Sequence, residues 1–230
     1  MINYVNPESR RKEIEFTHLV KKYFAPKMIL LGWQVVNELN FIKTTNNCIV
    51  NVFGFQTNWK EEQDFYSPHT PNNKDHIFCE TAIHFDFYSD YEKIWYPFCL
   101  VRDRLPRLGE GENNWDFNTN EDKNIEMIDS IWTAFENHSS NFYKDFENFP
   151  YPFNEIKPED IEETDSYKIL DKYRFDWYSE SARLMKDINL FFGNKSYAES
   201  FAEIEKREGE KMKIWESELD LNKEFDNPFL

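Results

Sequence analysis

The sequence predicts an α+β fold, in which a four-stranded antiparallel sheet is packed by N-terminal and central helices and followed by a C-terminal helical extension. Three patterns support this prediction. Residues 76–88 alternate apolar and polar side chains with a period of two, whereas residues 7–24 and 120–146 repeat apolar residues at helical spacing. After three prolines between residues 149 and 158, the patterns are helical again. The connections between the strands are too short for helical crossovers, which predicts antiparallel pairing.

The N-terminal helix is predicted to open at Pro7 and to bury one apolar stripe. Pro26 favours the first turn of a second short helix, because proline lacks the amide hydrogen that a helix interior requires. Gly32 is expected to end that helix in the left-handed conformation. The stripe consists of residues at helical spacing, namely Phe16, Leu19, Val20, Tyr23 and Phe24.

The four strands are predicted around Phe41, over Cys48 to Trp59, from His76 onward, and through residues 98–107. In the third strand, the odd-numbered residues from Ile77 are expected to face the core and the helices. The even-numbered residues from Phe78 are expected at or near water. All three cysteines fall in predicted strands, and the chain contains no CxxC motif. Buried reduced thiols are therefore expected rather than a zinc site or a redox pair.

The central helix is predicted to begin at a cap formed by Thr119 or Asn120. The prolines that follow it predict a boundary between an α+β sheet domain, residues 1–149, and an acidic helical extension, residues 150–230. In the extension, helices are expected from Pro158 to about residue 172, over residues 179–192, and over a long final stretch. Gly193 is expected to end the middle helix, and the extension is expected to dock on the sheet domain.

Charge is distributed unevenly along the chain, whose formal net charge is −16. Residues 1–107 contain thirteen Lys or Arg and thirteen Asp or Glu, whereas residues 108–230 contain fourteen against thirty. This asymmetry predicts that the second half faces a basic partner or water. Nucleic acid is disfavoured because its phosphates would be repelled. No apolar run reaches membrane-spanning length, so a cytoplasmic protein without a membrane partner is expected.

The order of these elements resembles the bacterial family catalogued as domain of unknown function 4304, over about residues 10–149. The resemblance implies an α+β fold with an antiparallel sheet and packed helices. It transfers no catalytic residues, because that family has no established activity. Small bacterial proteins of this kind often occur as immunity proteins beside toxins, which is an association only. The matching positions are Gly32-Trp33 (the family more often has Phe at the second), Phe41, Gln56, Arg104-Leu105-Pro106 and Trp115.

A basic cluster, Arg102, Arg104 and Arg107, forms the candidate anion-binding site. Two arginines on one strand face could hold a phosphate or carboxylate, because guanidinium groups form paired hydrogen bonds with such anions. The alternative, which we favour, is that these arginines pair with Glu80 or Asp86 on the neighbouring strand.

Motifs for metal, cofactor or nucleophilic chemistry are lacking in the sequence. His84, Asp86 and Glu80 share a predicted strand face and could begin a metal site, but no HxH or HExxH pair accompanies them. The chain has no GxSxG, GxGxxG or GxxxxGK[ST] motif either. We therefore expect no metal and no cofactor, and favour a protein that is not an enzyme.

The acidic face of the last helix is the candidate partner-binding surface, with Trp115 as an exposed aromatic anchor. The alternatives, both of which we favour, are a solvated helix side and a Trp115 that folds over the sheet edge. The leading hypothesis is a non-enzymatic protein-binding module, plausibly an immunity-type inhibitor that covers a basic toxin. The others are an anion-binding or enzymatic domain and a structural or regulatory subunit that pairs through its C-terminal helices; the oligomeric state is left open. The acidic candidates are Glu199, Glu203, Glu205, Glu208 and Glu210.

Overall fold

A computed structural model describes residues 6–45, 48–59, 74–85, 101–106, 114–162, 178–207 and 209–210 of the chain. It confirms the α+β class and the antiparallel sheet. The strands are β1 (Gln34–Asn37), β2 (Asn40–Thr44), β3 (Ile49–Asn58), β4 (His76–Phe85), β5 (Val101–Arg104) and β6 (Trp115–Asp116). The helices are α1 (Pro7–Leu19), α2 (Ala25–Leu30), α3 (Glu121–Ala134), α4 (Ser140–Lys144), α5 (Pro158–Glu162), α6 (Tyr178–Phe191) and α7 (residues 195–207).

The described sheet has six strands, whereas the sequence pattern predicted four. Its main path runs in chain order from β1 to β5, and β6 pairs with the start of β4 beside β5. The two strands that were missed, β1 and β6, contain four and two residues. Strands this short hold too few residues for an alternating pattern to emerge.

A turn of π-helix, Val20–Phe24, joins α1 to α2. Pro26 lies in the first turn of α2 and has no amide hydrogen to donate to the carbonyl of Lys22. The amide of Ala25, one residue earlier, donates a hydrogen bond to the carbonyl of Val20, five residues back, as in a π-helix. The wider turn keeps the chain helical through the proline. The α2 helix then ends at Gly32, whose φ of 81° is the left-handed conformation that was predicted.

Helices α1 and α3 lie on the sheet face that carries Ile77 and Cys79, the face that the sequence indicated. The core between them is rich in aromatic rings, which pack mainly edge to face. Phe16 of α1 contacts Phe55 with ring centroids 5.4 Å apart, and both rings are buried.

The opposite face of β4 is also buried, and the expectation that it lies at or near water was wrong. Glu80, Ala82 and His84 are all less than one-tenth exposed. Val50 and Val52, opposite His84 and Ala82 in the register of β3, form a small apolar cluster with Ala82. Because β4 lies between β3 and β5, its side chains have neighbours on both sides. The alternation of apolar and polar residues therefore did not imply that one face is exposed to solvent.

Gly54 is the point of close approach that a glycine inside a strand suggests. A Cβ atom at this position would lie 2.4 Å from Oδ1 of Asn40, the residue opposite it on β2. The Asn40 amide lies across the space and donates to Oδ1 of Asn37, 2.8 Å away. Gly54 therefore admits a neighbouring side chain, and the β3–β4 register continues through it without interruption.

The central helical stretch begins where the sequence predicted but is not one continuous helix. Asn120 caps α3 by accepting a hydrogen bond from the amide of Lys123, 3.2 Å away. A second π turn, Phe135–Ser139, separates α3 from α4. Ser139, a polar residue within the apolar repeat of residues 120–146, is fully buried.

The chain divides into two compact units, Met1–Phe149 and Pro150–Leu230. In the second unit, α6 ends before Gly193, which has a φ of 77°, and α7 follows directly. The middle helix thus matches its predicted bounds to within one residue. Of the predicted helix from Pro158, residues up to 162 are described and helical, and the rest lies outside the described residues.

Two cysteines are placed so differently that their reactivities should differ. Burial raises the pKa of the Cys79 thiol well above its usual value, and the adjacent Glu80 carboxylate adds to the rise. Cys48 is half-buried and precedes β3 at a φ of 65°, outside the strand in which it was predicted. Because the thiolate is the reactive form, we expect iodoacetamide at about pH 8 to modify Cys48 in the folded protein and to leave Cys79 unmodified.

Peptide mapping by mass spectrometry measures both reactions in one sample. In concentrated guanidinium chloride, where burial is lost, both thiols should react at similar rates. Modification of Cys79 in the folded protein as fast as Cys48 would contradict the placement of Cys79 in the core.

Candidate functional site

The two arginines of β5 both face one buried carboxylate. Arg102 Nη1 lies 3.5 Å from Glu80 Oε2, and Arg104 Nε lies 3.5 Å from Glu80 Oε1. Glu80 is 4% exposed and stands directly opposite Arg104 in the strand register. Burying a carboxylate this deeply is unfavourable unless cations compensate it. The pairing with Glu80 is therefore the arrangement that we favoured over an open anion clamp.

Arg104 remains accessible although it faces Glu80. Its side chain is 53% exposed, and its guanidinium lies over the ring of Phe78, 5.1 Å from the centroid. Arg102 is more enclosed, at 17% exposure. An incoming anion would have to compete with Glu80 for both arginines. Arg107 and Asp86, the other members of the predicted cluster, lie outside the described residues.

His84 shares its strand face with Glu80, as predicted, and both residues are buried. In the described part of the chain, no group of three or more His, Cys, Asp or Glu side chains is placed to hold a metal ion. Over the same residues, no helix combines the length and the apolar character needed to cross a bilayer.

Trp115 is part of the core, which corrects its selection as an exposed anchor. Its side chain is 2% exposed, and its indole Nε1 donates to Oγ of Ser130, 3.2 Å away. As a residue of β6, it pairs with Ile77 at the start of β4. Covering the sheet edge in this way removes a large apolar ring from water, so Trp115 cannot contact a partner.

The acidic residues of α7 form a stripe on the side opposite its buried residues. Glu199, Glu203 and Glu210 are exposed, whereas Phe201 and Ile204 are buried. At 100° per residue, Glu199 and Glu203 fall about 40° from one another around the axis of α7, and Glu210 lies beyond the end of that helix, in the described residues 209–210. The stripe therefore directs three carboxylates toward water.

Glu205 differs from the other predicted acidic residues. It is half-buried and accepts a hydrogen bond from Lys186 Nζ on α6, 2.6 Å away. A carboxylate engaged in this way links α7 to α6 and is less available to a partner. Glu208 lies outside the described residues.

Half of the excess acid belongs to the sheet unit, so acidic surface is not confined to the extension. Residues 108–149 contain ten acidic and two basic residues, and residues 150–230 contain twenty and twelve, so each segment has a net charge of −8. The first segment includes α3, whose outer face exposes Asp122, Glu126 and Asp129. The boundary at residue 149 therefore leaves an acidic helix on each unit.

Two further contacts in the sheet unit, each between a basic side chain and an aspartate, were not predicted from the sequence. Lys12 of α1 is buried and lies 3.0 Å from Asp75, just before β4. His138, in the second π turn, has its Nε2 3.3 Å from Asp103 Oδ2 on β5. The partners are 63 and 35 positions apart in the chain, and no local pattern marks such pairs.

No protein-family model matches the chain, and no curated protein or solved structure is significantly similar to it. The resemblance to domain of unknown function 4304 therefore stays a prediction.

Proposed function

We propose that the protein is a non-enzymatic binding module of the immunity type, which covers a basic protein partner with the acidic stripe of α7. The observation that carries the proposal is the separation of charge from the apolar face on this helix. Glu199 and Glu203 face water on one side of α7, Phe201 and Ile204 are buried on the other, and Glu210 is exposed beyond the end of the helix. Helix packing therefore leaves the carboxylates available to a partner.

Electrostatics gives such a surface its function. A stripe of like charge on a chain of net charge −16 accelerates encounter with a basic partner and repels acidic ones. Exposed charges contribute little to the stability of their own fold. Substitutions in the stripe should therefore change binding while leaving folding intact.

The alternative of an anion-binding or enzymatic domain has weaker support. Its two described arginines, Arg102 and Arg104, both lie within ion-pair distance of Glu80. An anion would have to displace that carboxylate or share its cations. The stripe carboxylates Glu199 and Glu203 are exposed, with Lys206 and Arg207 three and four positions after Glu203 on the same helix.

The direct test uses the product of the neighbouring reading frame as the binding probe, with affinity measured by isothermal titration calorimetry. We expect the triple variant Glu199→Lys, Glu203→Lys, Glu210→Lys to bind at least about tenfold more weakly than the unaltered chain. Raising NaCl from about 0.05 M to about 0.5 M should weaken binding by the unaltered chain much more than binding by the variant.

A matched control separates the stripe from overall charge. The variant Asp122→Lys, Glu126→Lys, Glu136→Lys changes the same net charge on the exposed face of the central helical stretch. It should retain most of the affinity if α7 is the contact surface. An affinity that is insensitive to salt, or equal losses in both triple variants, would reject the α7 stripe as the binding surface.

A further inference from the structure

A second exposed surface differs from the acidic stripe in being apolar and flanked by lysines. Most large apolar side chains in the described part of the sheet unit are buried, but four exposed ones cluster at the end of α2 and in β1. Leu30 is the most exposed, at 87%. Contiguous exposed apolar side chains on a protein surface commonly mark an interaction site. This apolar edge patch consists of Ile29, Leu30, Leu31 and Val35.

The patch adjoins a sheet edge. In the described sheet, β1 is the terminal strand and pairs with β2 alone. A terminal strand presents backbone amide and carbonyl groups on its outer side, where an extended peptide can add as a further strand. Val35 stands opposite Phe41, a core residue of β2, and so lies on the sheet face that the helices cover. Backbone pairing and apolar contact are thus available in one place.

Lysines flank the patch. Lys27 lies one helical turn before Leu30 and Leu31, and Lys43 Nζ donates to the carbonyl of Leu31, 2.9 Å away. Lys27 is paired with Asp129, whereas the hydrogen bond from Lys43 goes to an uncharged carbonyl. Residues 20–45 contain four lysines and one acidic residue, in a chain of net charge −16. Lys21 pairs with Glu38 and Lys27 pairs with Asp129, so the local excess of positive charge comes from the other two lysines, Lys22 and Lys43.

This charge pattern discriminates among occupants. A second copy related by a twofold axis through β1 would bring the basic rims of both copies together, which like-charge repulsion opposes. An anionic membrane surface would attract the lysines but repel a chain of net charge −16. A short acidic segment of a protein partner matches the lysines and the apolar side chains and approaches only the patch, so screening by salt limits its repulsion by the rest of the chain.

We propose that the edge of β1 and the apolar edge patch bind an extended segment of a partner protein that combines apolar and acidic side chains and joins the sheet as an additional strand. The backbone of the segment pairs with β1, its apolar residues cover Leu30 and Val35, and its carboxylates approach Lys27 and Lys43. This surface is distinct from the acidic stripe of α7, so neither proposal depends on the other.

The probe for the test is a synthetic seven-residue peptide that alternates Glu with Val and Ile, titrated into the full ¹⁵N-labelled chain. We expect the backbone amide resonances of β1 and the end of α2 to shift with saturation, and a peptide with Lys in place of Glu to bind at least about tenfold more weakly. The variant Leu30→Glu should also weaken binding of the acidic peptide at least about tenfold, because it places a like charge in the patch.

The matched control is Ile14→Glu, which changes an equally exposed class of side chain on α1, outside the patch; Ile14 is 63% exposed. It should bind the acidic peptide as the unaltered chain does. Three outcomes would overturn the proposal: no shifts at β1, equal binding of both peptides, or equal losses in both variants. Binding to phosphatidylserine vesicles without peptide binding would identify a membrane site instead. Self-association lost in Leu30→Glu, without peptide binding, would identify a second copy.

Discussion

Replacing Asp75 by Asn is expected to lower the free energy of unfolding of the sheet unit by about 3–5 kcal/mol, the usual effect of removing one partner from a buried ion pair. Lys12 and Asp75 have side chains only 8% and 13% exposed, and both carboxylate oxygens lie within 3.1 Å of the ammonium. The substitution leaves the buried ammonium facing an uncharged amide. Most of the loss therefore comes from weaker compensation of the buried ammonium.

The measurement is guanidinium chloride unfolding followed by tryptophan fluorescence, because five of the seven tryptophans lie in residues 1–149. The double variant Lys12→Met, Asp75→Asn should be considerably more stable than Asp75→Asn, since it removes the buried ammonium together with the carboxylate. Glu38→Gln supplies the control: Glu38 pairs with Lys21 at the surface, where both side chains are more than half exposed. It should change stability by less than about 1 kcal/mol. Equal losses in Asp75→Asn and Glu38→Gln would contradict the buried pair.

Replacing Phe24 by Ala should destabilise the sheet unit by a similar amount, about 3–5 kcal/mol. The ring is fully buried at the end of the first π turn and contacts aromatic rings from β2, β3 and the central helical stretch. Truncation opens a cavity at the centre of this cluster, because the surrounding rings cannot all move in to fill it. The ring centroids around Phe24 lie 5.0 to 6.1 Å away, at Phe41, Phe53, Phe55, Trp132 and Phe135.

The same unfolding experiment tests this prediction with two companions. Phe24→Leu retains most of the side-chain volume and should lose less than half as much stability as Phe24→Ala. Ile29→Ala, at a neighbouring position that is 56% exposed, should lose less than about 1 kcal/mol. If Phe24→Ala were no more costly than Ile29→Ala, the π turn would not place Phe24 in the core.

The helix ends show how far local sequence determines structure. Gly32 and Gly193 adopt the left-handed conformation, and Asn120 accepts the capping hydrogen bond, as their positions predicted. Each of these features depends on one residue and its near neighbours in the sequence, so the local sequence is enough to predict it. The π turns were not predicted, because widening a helix by one residue leaves the apolar spacing of the sequence almost unchanged.

The candidate sites show the limit of the same reasoning. Residue type and spacing placed Arg102 and Arg104 on one strand face, and the favoured pairing with Glu80 was inferred from the neighbouring strand. Burial of Trp115 contradicted its selection as an anchor and matched the favoured alternative, in which the ring folds over the sheet edge. With the boundary at residue 149, each unit has a net charge of −8, whereas a division of the chain at residue 107 places all of the excess acid in the second half.

The sequence by itself determined the α+β class, the antiparallel sheet and the helix ends at Gly32, Asn120 and Gly193, because hydrophobic periodicity and capping act over a few neighbouring residues. Only the tertiary structure decided that both faces of β4 are buried, that β1 and β6 extend the sheet, and that Lys12 meets Asp75 in the interior. Each of these depends on residues far apart in the chain, whose proximity is set by the packing of helices on the sheet.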